Sequence, residues 1–146
     1  MNSKHNIKSV FVWLSIFLGS VSLSGCGGDA HSKKMPEEVA YEFLDAIYNK
    51  KDLKLIKIHS TDKVAKLADH YRSIKSIQRH LVDLRLNSAT IQVSDVSGDF
   101  FRKSKKDTKV ELHIRGEWEG GVVADDRFLT LKWQNNRWKV SKIDKS

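Results

Sequence analysis

The chain has 146 residues, with 26 basic and 18 acidic side chains, a formal charge of +8 and a single cysteine. A chain of this length holds one globular domain, and one cysteine excludes an internal disulfide framework. The basic side chains are interleaved with acidic ones, a pattern more typical of a solvated surface than of a nucleic-acid interface.

The first 25 residues have the three zones of an export signal. Lys4 and Lys8 give a positive start, residues 10–18 are apolar, and small side chains follow up to Cys26. A membrane-spanning helix needs roughly 20 apolar residues, and this run is interrupted at Gly19, well before that length. The pattern favours a cleaved signal peptide over two alternatives, a retained transmembrane anchor and a buried N-terminal helix.

The tetrapeptide Leu23-Ser24-Gly25-Cys26 resembles a bacterial lipobox. The resemblance implies cleavage between Gly25 and Cys26, a thioether-linked diacylglycerol on Cys26 and a further acyl chain, such as palmitate, on its amine. Two or more chains, at ~0.8 kcal/mol per buried methylene, form a stable anchor. A free or intermolecular thiol is the alternative. We expect a signal peptide over residues 1–25, a lipidated tether over 26–35 and one domain over 36–146.

The predicted location depends on the residue after the cysteine. In the sorting pattern of enteric-type bacterial lipoproteins, an aspartate there retains the protein at the inner membrane, and here the position is Gly27. We expect the outer membrane, with the domain facing the periplasm, or the outer face of the single membrane in a Gram-positive host. The bilayer is a partner through acylated Cys26, and this compartment argues against nucleic acid.

Three helices are predicted at the start of the domain. Pro36 suits a first helical turn, and the apolar residues that follow recur at helical spacing. Asp52 is a candidate N-cap for a second, shorter helix, and Thr61 or Ser60 for a third. Because no proline or glycine follows for 25 residues, we expect the inner face of the third helix to extend to Leu81.

Beyond residue 88 the period changes from helical to alternating, which predicts four strands. Ser97-Gly98-Asp99 predicts a bend, residues 102–107 a charged loop, Gly120-Gly121 a turn or bulge, and Asn135-Asn136 a tight hairpin. The predicted inner faces are Ala89, Ile91 and Val93; Val110, Leu112 and Ile114 with Trp118; Leu129, Leu131 and Trp133; and Trp138 and Val140, with Ile143 after an irregularity.

Helices followed by an antiparallel meander predict an α+β domain whose sheet has its apolar face covered by helices. Three patterns resemble the nuclear transport factor 2-like superfamily, including its small lipoprotein members: Pro36-x-x-x-Ala40-x-x-Phe43-x-x-Ala46, Asp52-x-x-x-Ile56 and Trp138-x-Val140-x-x-Ile143. The resemblance covers nearly all of the domain and implies a cone formed by helices and a curved sheet of about four strands. The mouth of that cone is an enzyme pocket, a ligand pocket or an assembly surface in different members, so the fold does not choose the function.

Catalysis is one alternative. Ketosteroid isomerase-like and polyketide cyclase-like members use a pocket carboxylate as base, often with a tyrosine or histidine partner. The side chains available for this are Tyr41, Tyr48, Tyr71, His113, Asp125 and Asp126. None lies in a recognisable catalytic motif. The histidines lack the i,i+4 spacing of a zinc site, and no dense group of acidic residues resembles a calcium loop. The sequence also contains neither a glycine-rich phosphate loop nor a nucleophile elbow. We therefore expect neither a metal nor a cofactor.

We expect a non-catalytic envelope lipoprotein that binds a small apolar ligand in the cone or a partner protein on its surface. The candidate pocket or surface residues are Tyr41, Tyr71, His113, Trp118 and Trp133, and the polar sheet face carries Glu111, His113, Arg115 and Glu117. An isomerase- or cyclase-like enzyme and an envelope or secretion-system assembly accessory are the alternatives. A deep pocket that holds a buried carboxylate beside Tyr or His would indicate an enzyme. A dry pocket without such a carboxylate would indicate a binding site for a small ligand. A filled cone with an exposed apolar patch would indicate a surface for a partner protein.

Overall fold

A computed structural model describes residues 34–97 and 107–145 of the chain. The predicted signal peptide, the cleavage position between Gly25 and Cys26, and the lipidated Cys26 itself lie outside the described residues. So do Gly98 and Asp99 of the predicted bend and residues 102–106 of the predicted charged loop. The described ends of these two predictions, Ser97 and Asp107, belong to strands instead. Among the helices that the structure describes, none is both long enough and apolar enough to cross a bilayer.

The helical layer begins as the sequence predicts. The Asp52 carboxylate accepts hydrogen bonds from the amides of Lys54 (2.7 Å) and Leu55 (3.3 Å), and Pro36 occupies a first turn. Local chemistry sets both starts, because proline lacks an amide that the first turn leaves unbonded and aspartate accepts such amides. The helices are α1 Pro36–Tyr48, α2 Leu53–Ile58, α3 Asp62–Tyr71 and α4 Ile74–Ile77, followed by a π-helical turn, Gln78–Val82.

The third helix is shorter than predicted. Arg72 adopts a left-handed conformation, with φ of 58°, and ends α3. The Ser73 hydroxyl then accepts a hydrogen bond from the amide of Ser76 at 3.2 Å and starts α4. The expectation of one helix extending to Leu81 is therefore wrong, because a serine N-cap begins a new helix without any proline or glycine.

The strands form one antiparallel sheet in the order β1-β2-β3-β4, with β1 Ala89–Ser97, β2 Asp107–Trp118, β3 Gly121–Gln134 and β4 Arg137–Lys145. The predicted hairpin at Asn135 and Asn136 is confirmed, with φ of 50° and 62°. The turn between β2 and β3 uses Glu119 and Gly120, with φ of 52° and 81°. Gly121 therefore already belongs to β3, which is longer at its start than predicted.

Helices cover one face of this sheet, and that face forms the core. The predicted inner residues that are fully buried are Val110, Leu112, Ile114, Leu129, Leu131 and Val140. Ile143 packs against them after a register shift, as predicted. Val93 is 40% exposed although Ile91 is buried, and the pairing with β2 shifts between Val93 and Asp95. A bulge thus ends the regular alternation of β1 at this point.

Candidate functional site

The inside of the cone contains a charged residue, Arg127, which is fully buried on the core face of β3. Its guanidinium donates to the carbonyl oxygens of Val82 (2.8 Å), Asp83 (2.9 Å) and Asp126 (2.6 Å). It also forms an ion pair with the Asp125 carboxylate at 2.8 Å. A buried charge is tolerated only when its donors are satisfied in this way. Arg127 therefore ties β3 to the end of the π-helical turn.

Tyr48 reaches the same backbone segment from α1. Its hydroxyl donates to the Leu84 carbonyl oxygen at 2.9 Å, and burial raises the pKa of Tyr48 above its ordinary value. Together with Arg127, this bond holds the carbonyls of three consecutive residues, 82–84. The Leu84 amide donates in turn to the carbonyl oxygen of Gln78 at 3.0 Å. The described interior of the cone is thus occupied by the protein's own side chains and backbone.

The two carboxylates beside this segment are both paired with cations. The hydrogen bond from Arg127 is the main cause that holds the pKa of Asp125 below its ordinary value. The hydrogen bond from Lys145 has the same effect on the pKa of Asp83. A lowered pKa keeps a carboxylate ionised, whereas a general base works best with a pKa near the operating pH. Neither Asp125 nor Asp83 is therefore tuned for proton abstraction.

An open cleft of about 390 Å³, which we name the arginine cleft, lies beside the same segment and is lined by Arg79, Asp83, Leu84, Arg85, Trp118 and Val123. The guanidinium carbon of Arg85 lies 4.9 Å from the centre of the Trp118 ring, a cation–π distance. Within residues 34–97 and 107–145, no carboxylate forms an ion pair with Arg79 or Arg85. Asp83, by contrast, pairs with Lys145. The cleft combines two available cations with an apolar surface.

A second cleft, of about 450 Å³, lies at the start of α3. Its cations are Lys63, Lys132 and Lys142, and Lys142 is already paired with Asp144 at 2.7 Å. The residues that line it include Asp62 and no aromatic side chain. Ammonium groups on flexible stems offer less geometric selectivity than guanidinium groups. The arginine cleft is therefore the more specific of these two surfaces.

The sheet face opposite the helices carries the polar side chains predicted for it. His113 Nδ1 lies 2.7 Å from the Asp126 carboxylate, and both side chains are more than a third exposed. On the same face, Lys109 Nζ lies 4.0 Å from the centre of the Phe128 ring. General acid–base chemistry needs a secluded site, which this open surface does not provide. Among the described residues, no group of three or more potential ligand side chains is arranged to hold a metal ion.

Three of the predicted pocket or surface residues lie apart from the arginine cleft. Tyr41 is on the exposed side of α1. Tyr71, at the end of α3, stacks on His80 with 5.3 Å between ring centres. Trp133 packs edge-on against Trp138 beside the hairpin, also at 5.3 Å. These side chains do not converge on one site, and their roles in binding stay predictions.

Trp118 is the predicted residue that does line the arginine cleft. Its neighbours Arg79 and Arg85, and the buried Arg127, were not predicted. A signal for Arg127 exists in the sequence, because it precedes Leu129 by two positions and alternation places both on the core face. Arg79 lies in the π-helical turn and Arg85 follows its left-handed C-cap, Asp83, and the apolar pattern revealed neither feature.

Comparison with known proteins concerns the fold. No protein-family model and no curated protein matches the chain. Among solved structures, the protein named Rd1NTF2_04 with long sheet matches with a TM-score of 0.51 at 15% identity, over 77% of this chain and 100% of that one. A substituted form of Rd1NTF2_05 matches with a TM-score of 0.52 at 10% identity, over 75% of this chain and 95% of that one.

A further solved structure, an NTF-2-like protein of unknown function from Shewanella oneidensis MR-1, has a TM-score of 0.46 at 11% identity, over 75% of this chain and 97% of that one. At these identities a likeness concerns the fold and not the activity. The two better-matching structures confirm the expected architecture. The domain has the nuclear transport factor 2-like α+β fold, with helices packed on a curved sheet of four antiparallel strands.

Proposed function

We propose that this protein is a non-catalytic binding module of the bacterial cell envelope, held at a membrane by lipid on Cys26, and that its domain binds a partner protein. The observation that carries the proposal is the filled interior. Arg127 and Tyr48 direct their polar atoms to the backbone of residues 82–84. Binding is then left to the outer surfaces of the domain, where the arginine cleft and the open sheet face lie.

A small apolar ligand inside the cone has less support than a partner protein. Ligand pockets are mostly apolar clefts with a few convergent polar groups. In the described interior, a fully buried guanidinium and a buried tyrosine hydroxyl instead bond to the chain itself. Both groups therefore donate to backbone carbonyl oxygens of the protein rather than to a ligand.

An isomerase- or cyclase-like activity also has less support. The Asp125 carboxylate is paired with Arg127, and its pKa is lowered rather than raised. The Tyr48 hydroxyl is engaged by a backbone carbonyl, and His113 lies with Asp126 on the open sheet face. An envelope or secretion-system assembly accessory remains within the proposal, because such a protein acts by binding partners.

The membrane part of the proposal is supported by the order of sequence zones that ends at the lipobox. Replacement of the lipidated residue, Cys26→Ser, is expected to release the protein from the membrane fraction or to leave it as an unprocessed precursor. Ser20→Ala, which lies outside the tetrapeptide, is the matched control and is expected to change neither. Unchanged membrane association and mature size in Cys26→Ser would contradict the anchor.

The binding part is tested by crosslinking the full-length protein in its native envelope. After purification, mass analysis is applied to both proteins and small molecules. We expect enrichment of a partner protein over an uncrosslinked sample. Recovery of a specific lipid or metabolite without any partner protein would contradict the proposal.

A further inference from the structure

We propose that the arginine cleft binds an acidic segment of the partner protein. A carboxylate of that segment is held by Arg79 and Arg85, and an adjacent apolar side chain packs against Trp118 and Val123. This inference rests on the proposed function, because it names the surface and the chemistry through which the partner is bound.

The donors of Arg85 are the first reason. Its contact with Trp118 at 4.9 Å is a cation–π contact, which uses no hydrogen-bond donor. Guanidinium carries five N–H donors in a planar fork that matches a carboxylate with two parallel hydrogen bonds. Stacking on the indole also restricts the position of the guanidinium. Arg85 is thus positioned for a carboxylate, and no side-chain hydrogen bond to another described residue occupies its donors.

The balance of charge in the cleft is the second reason. Arg79 and Arg85 have no carboxylate partner among the described residues, whereas the charge of Asp83 is offset by Lys145. The cleft therefore attracts an anion.

The apolar surface is the third reason. Leu84, Trp118 and Val123 line the cleft together with the two arginines. A bare inorganic anion makes no use of an indole or a valine side chain, whereas a peptide that carries a carboxylate beside an apolar residue satisfies both halves of the cleft. Aromatic and arginine side chains are also the residues that contribute most at protein interfaces.

The wall of the cleft is fixed before anything binds. Arg127 and Tyr48 hold the three carbonyls of residues 82–84, the segment that leads directly to Arg85. Asp83 has a φ of 56°, a left-handed conformation that these bonds keep in place. A wall ordered in the free protein lowers the entropy cost of binding.

The cleft lies at one end of α1. α1 runs from Pro36, beside the start of the described domain, to Tyr48, a length of about 20 Å at 1.5 Å per residue. Tyr48 contacts Leu84 in the wall of the cleft. The wall of the cleft therefore lies at the C-terminal end of α1, away from the start of the described domain, and phosphatidylglycerol vesicles are included in the test to detect binding by a bilayer.

The test uses the full-length protein in mild detergent and fluorescein-labelled octapeptides in which Asp or Glu stands beside Phe or Leu. A matched set carries Asn or Gln instead, and fluorescence anisotropy at physiological salt measures binding. We expect the best acidic peptide to bind about tenfold more tightly than its amide counterpart, a factor typical of charge-assisted hydrogen bonds. Arg79→Gln and Arg85→Gln are expected to remove most of that difference, and Lys54→Gln, on the exposed side of α2, to preserve it.

Equal affinity for acidic and amide peptides, or an acidic-peptide affinity unchanged by both cleft variants, would overturn the inference. Stronger competition against the labelled peptide by inorganic phosphate or by phosphatidylglycerol vesicles than by the unlabelled acidic peptide would also overturn it and identify the occupant as phosphate or lipid. The proposed function fails separately, if envelope crosslinking recovers no partner protein. If the double variant Arg79→Gln with Arg85→Gln recovers the partner protein in the same yield as the parent chain, the assignment of binding to the arginine cleft is contradicted. The proposed function is then unaffected.

Discussion

Arg127 and the pair Arg79 and Arg85 border the same backbone segment, yet their side chains have opposite environments. Arg127 is fully buried, and its donors are used by three carbonyls and a carboxylate. Arg79 and Arg85 lie in an open cleft, without an ion-pair partner among the described residues. The comparison shows that the available acceptors, rather than the residue type, decide whether an arginine stabilises the fold or remains free to bind.

Removal of the buried guanidinium is expected to have the largest effect. Arg127→Met leaves buried carbonyls and the Asp125 carboxylate without their donor, and breaking a buried pair in this way costs about 3–5 kcal/mol. Urea unfolding measures the change in the free energy of unfolding. Arg115→Met, on the open sheet face, is the control and is expected to change it by about 0.5 kcal/mol or less. An equally small loss in Arg127→Met would contradict the claim that Arg127 stabilises the fold.

The close approach at Gly116 gives the next largest effect. A Cβ atom there would lie 2.1 Å from the backbone carbonyl oxygen of Ser88 and 3.1 Å from Leu86 Cδ1. Because backbone must shift, Gly116→Ala is expected to lower the free energy of unfolding by about 2 kcal/mol. In Gly121→Ala the nearest atom, the Trp118 carbonyl oxygen, is 3.7 Å away, so that variant should unfold almost as the parent does. Equal urea midpoints for the two variants would show that the chain next to the cleft is not tightly held.

Loss of the Tyr48 hydroxyl is expected to have a smaller effect, and it tests whether Tyr48 also orders the segment that Arg127 holds. Tyr48→Phe keeps the packing of the ring but leaves the Leu84 carbonyl without its donor. The expected cost is about 1–2 kcal/mol, and Tyr41→Phe on the exposed side of α1 should cost nothing measurable. Hydrogen exchange of the amides in residues 82–86 should also be faster in Tyr48→Phe. Unchanged exchange there would mean that Arg127 alone orders the segment.

Acid pH is expected to weaken the pairing around the buried arginine. The folded-state pKa of Asp125 lies below its ordinary value of 3.8, so its contribution to stability is present above that value and is lost as pH falls through the folded-state pKa. Urea midpoints measured from about pH 5 down to about pH 2 should therefore fall less steeply in Asp125→Asn than in the parent chain. Asp107→Asn, at the exposed start of β2, is the control. Equal slopes for parent and Asp125→Asn would contradict the pairing.

Features set by neighbouring residues could be predicted from the sequence. Asp52 caps α2 because a carboxylate accepts amides two and three residues ahead. Asn135 and Asn136 form the hairpin because asparagine tolerates positive φ. The alternation of Val110, Leu112 and Ile114 placed β2 with its correct face inward. Each of these features depends on short-range chemistry, which a single sequence contains.

Features set by distant contacts could not be predicted. The third helix breaks after Arg72 although no breaker residue is present, and Arg79 lies in the π-helical turn that follows α4. Arg127 is buried because carbonyls 44 and 45 positions away accept its donors. The charge of Arg127 predicts an exposed side chain, whereas its position two residues before Leu129 predicts a buried one. Charge is the stronger of these two sequence signals, and here it is misleading. The candidate site depends on the π-helical turn that carries Arg79 and on the burial of Arg127. For this reason the sequence indicated only one residue of the arginine cleft, Trp118.

Site-specific photo-crosslinking from two adjacent positions tests the central claim most directly. Val123 lines the arginine cleft, whereas Ala124 is exposed on the opposite face of the sheet. A photoreactive amino acid replaces one or the other in the full-length protein in its native envelope. We predict a covalent adduct with a partner protein from position 123 and little or none from position 124. An adduct from position 124 alone, or adducts from position 123 with lipids or metabolites only, would contradict the account.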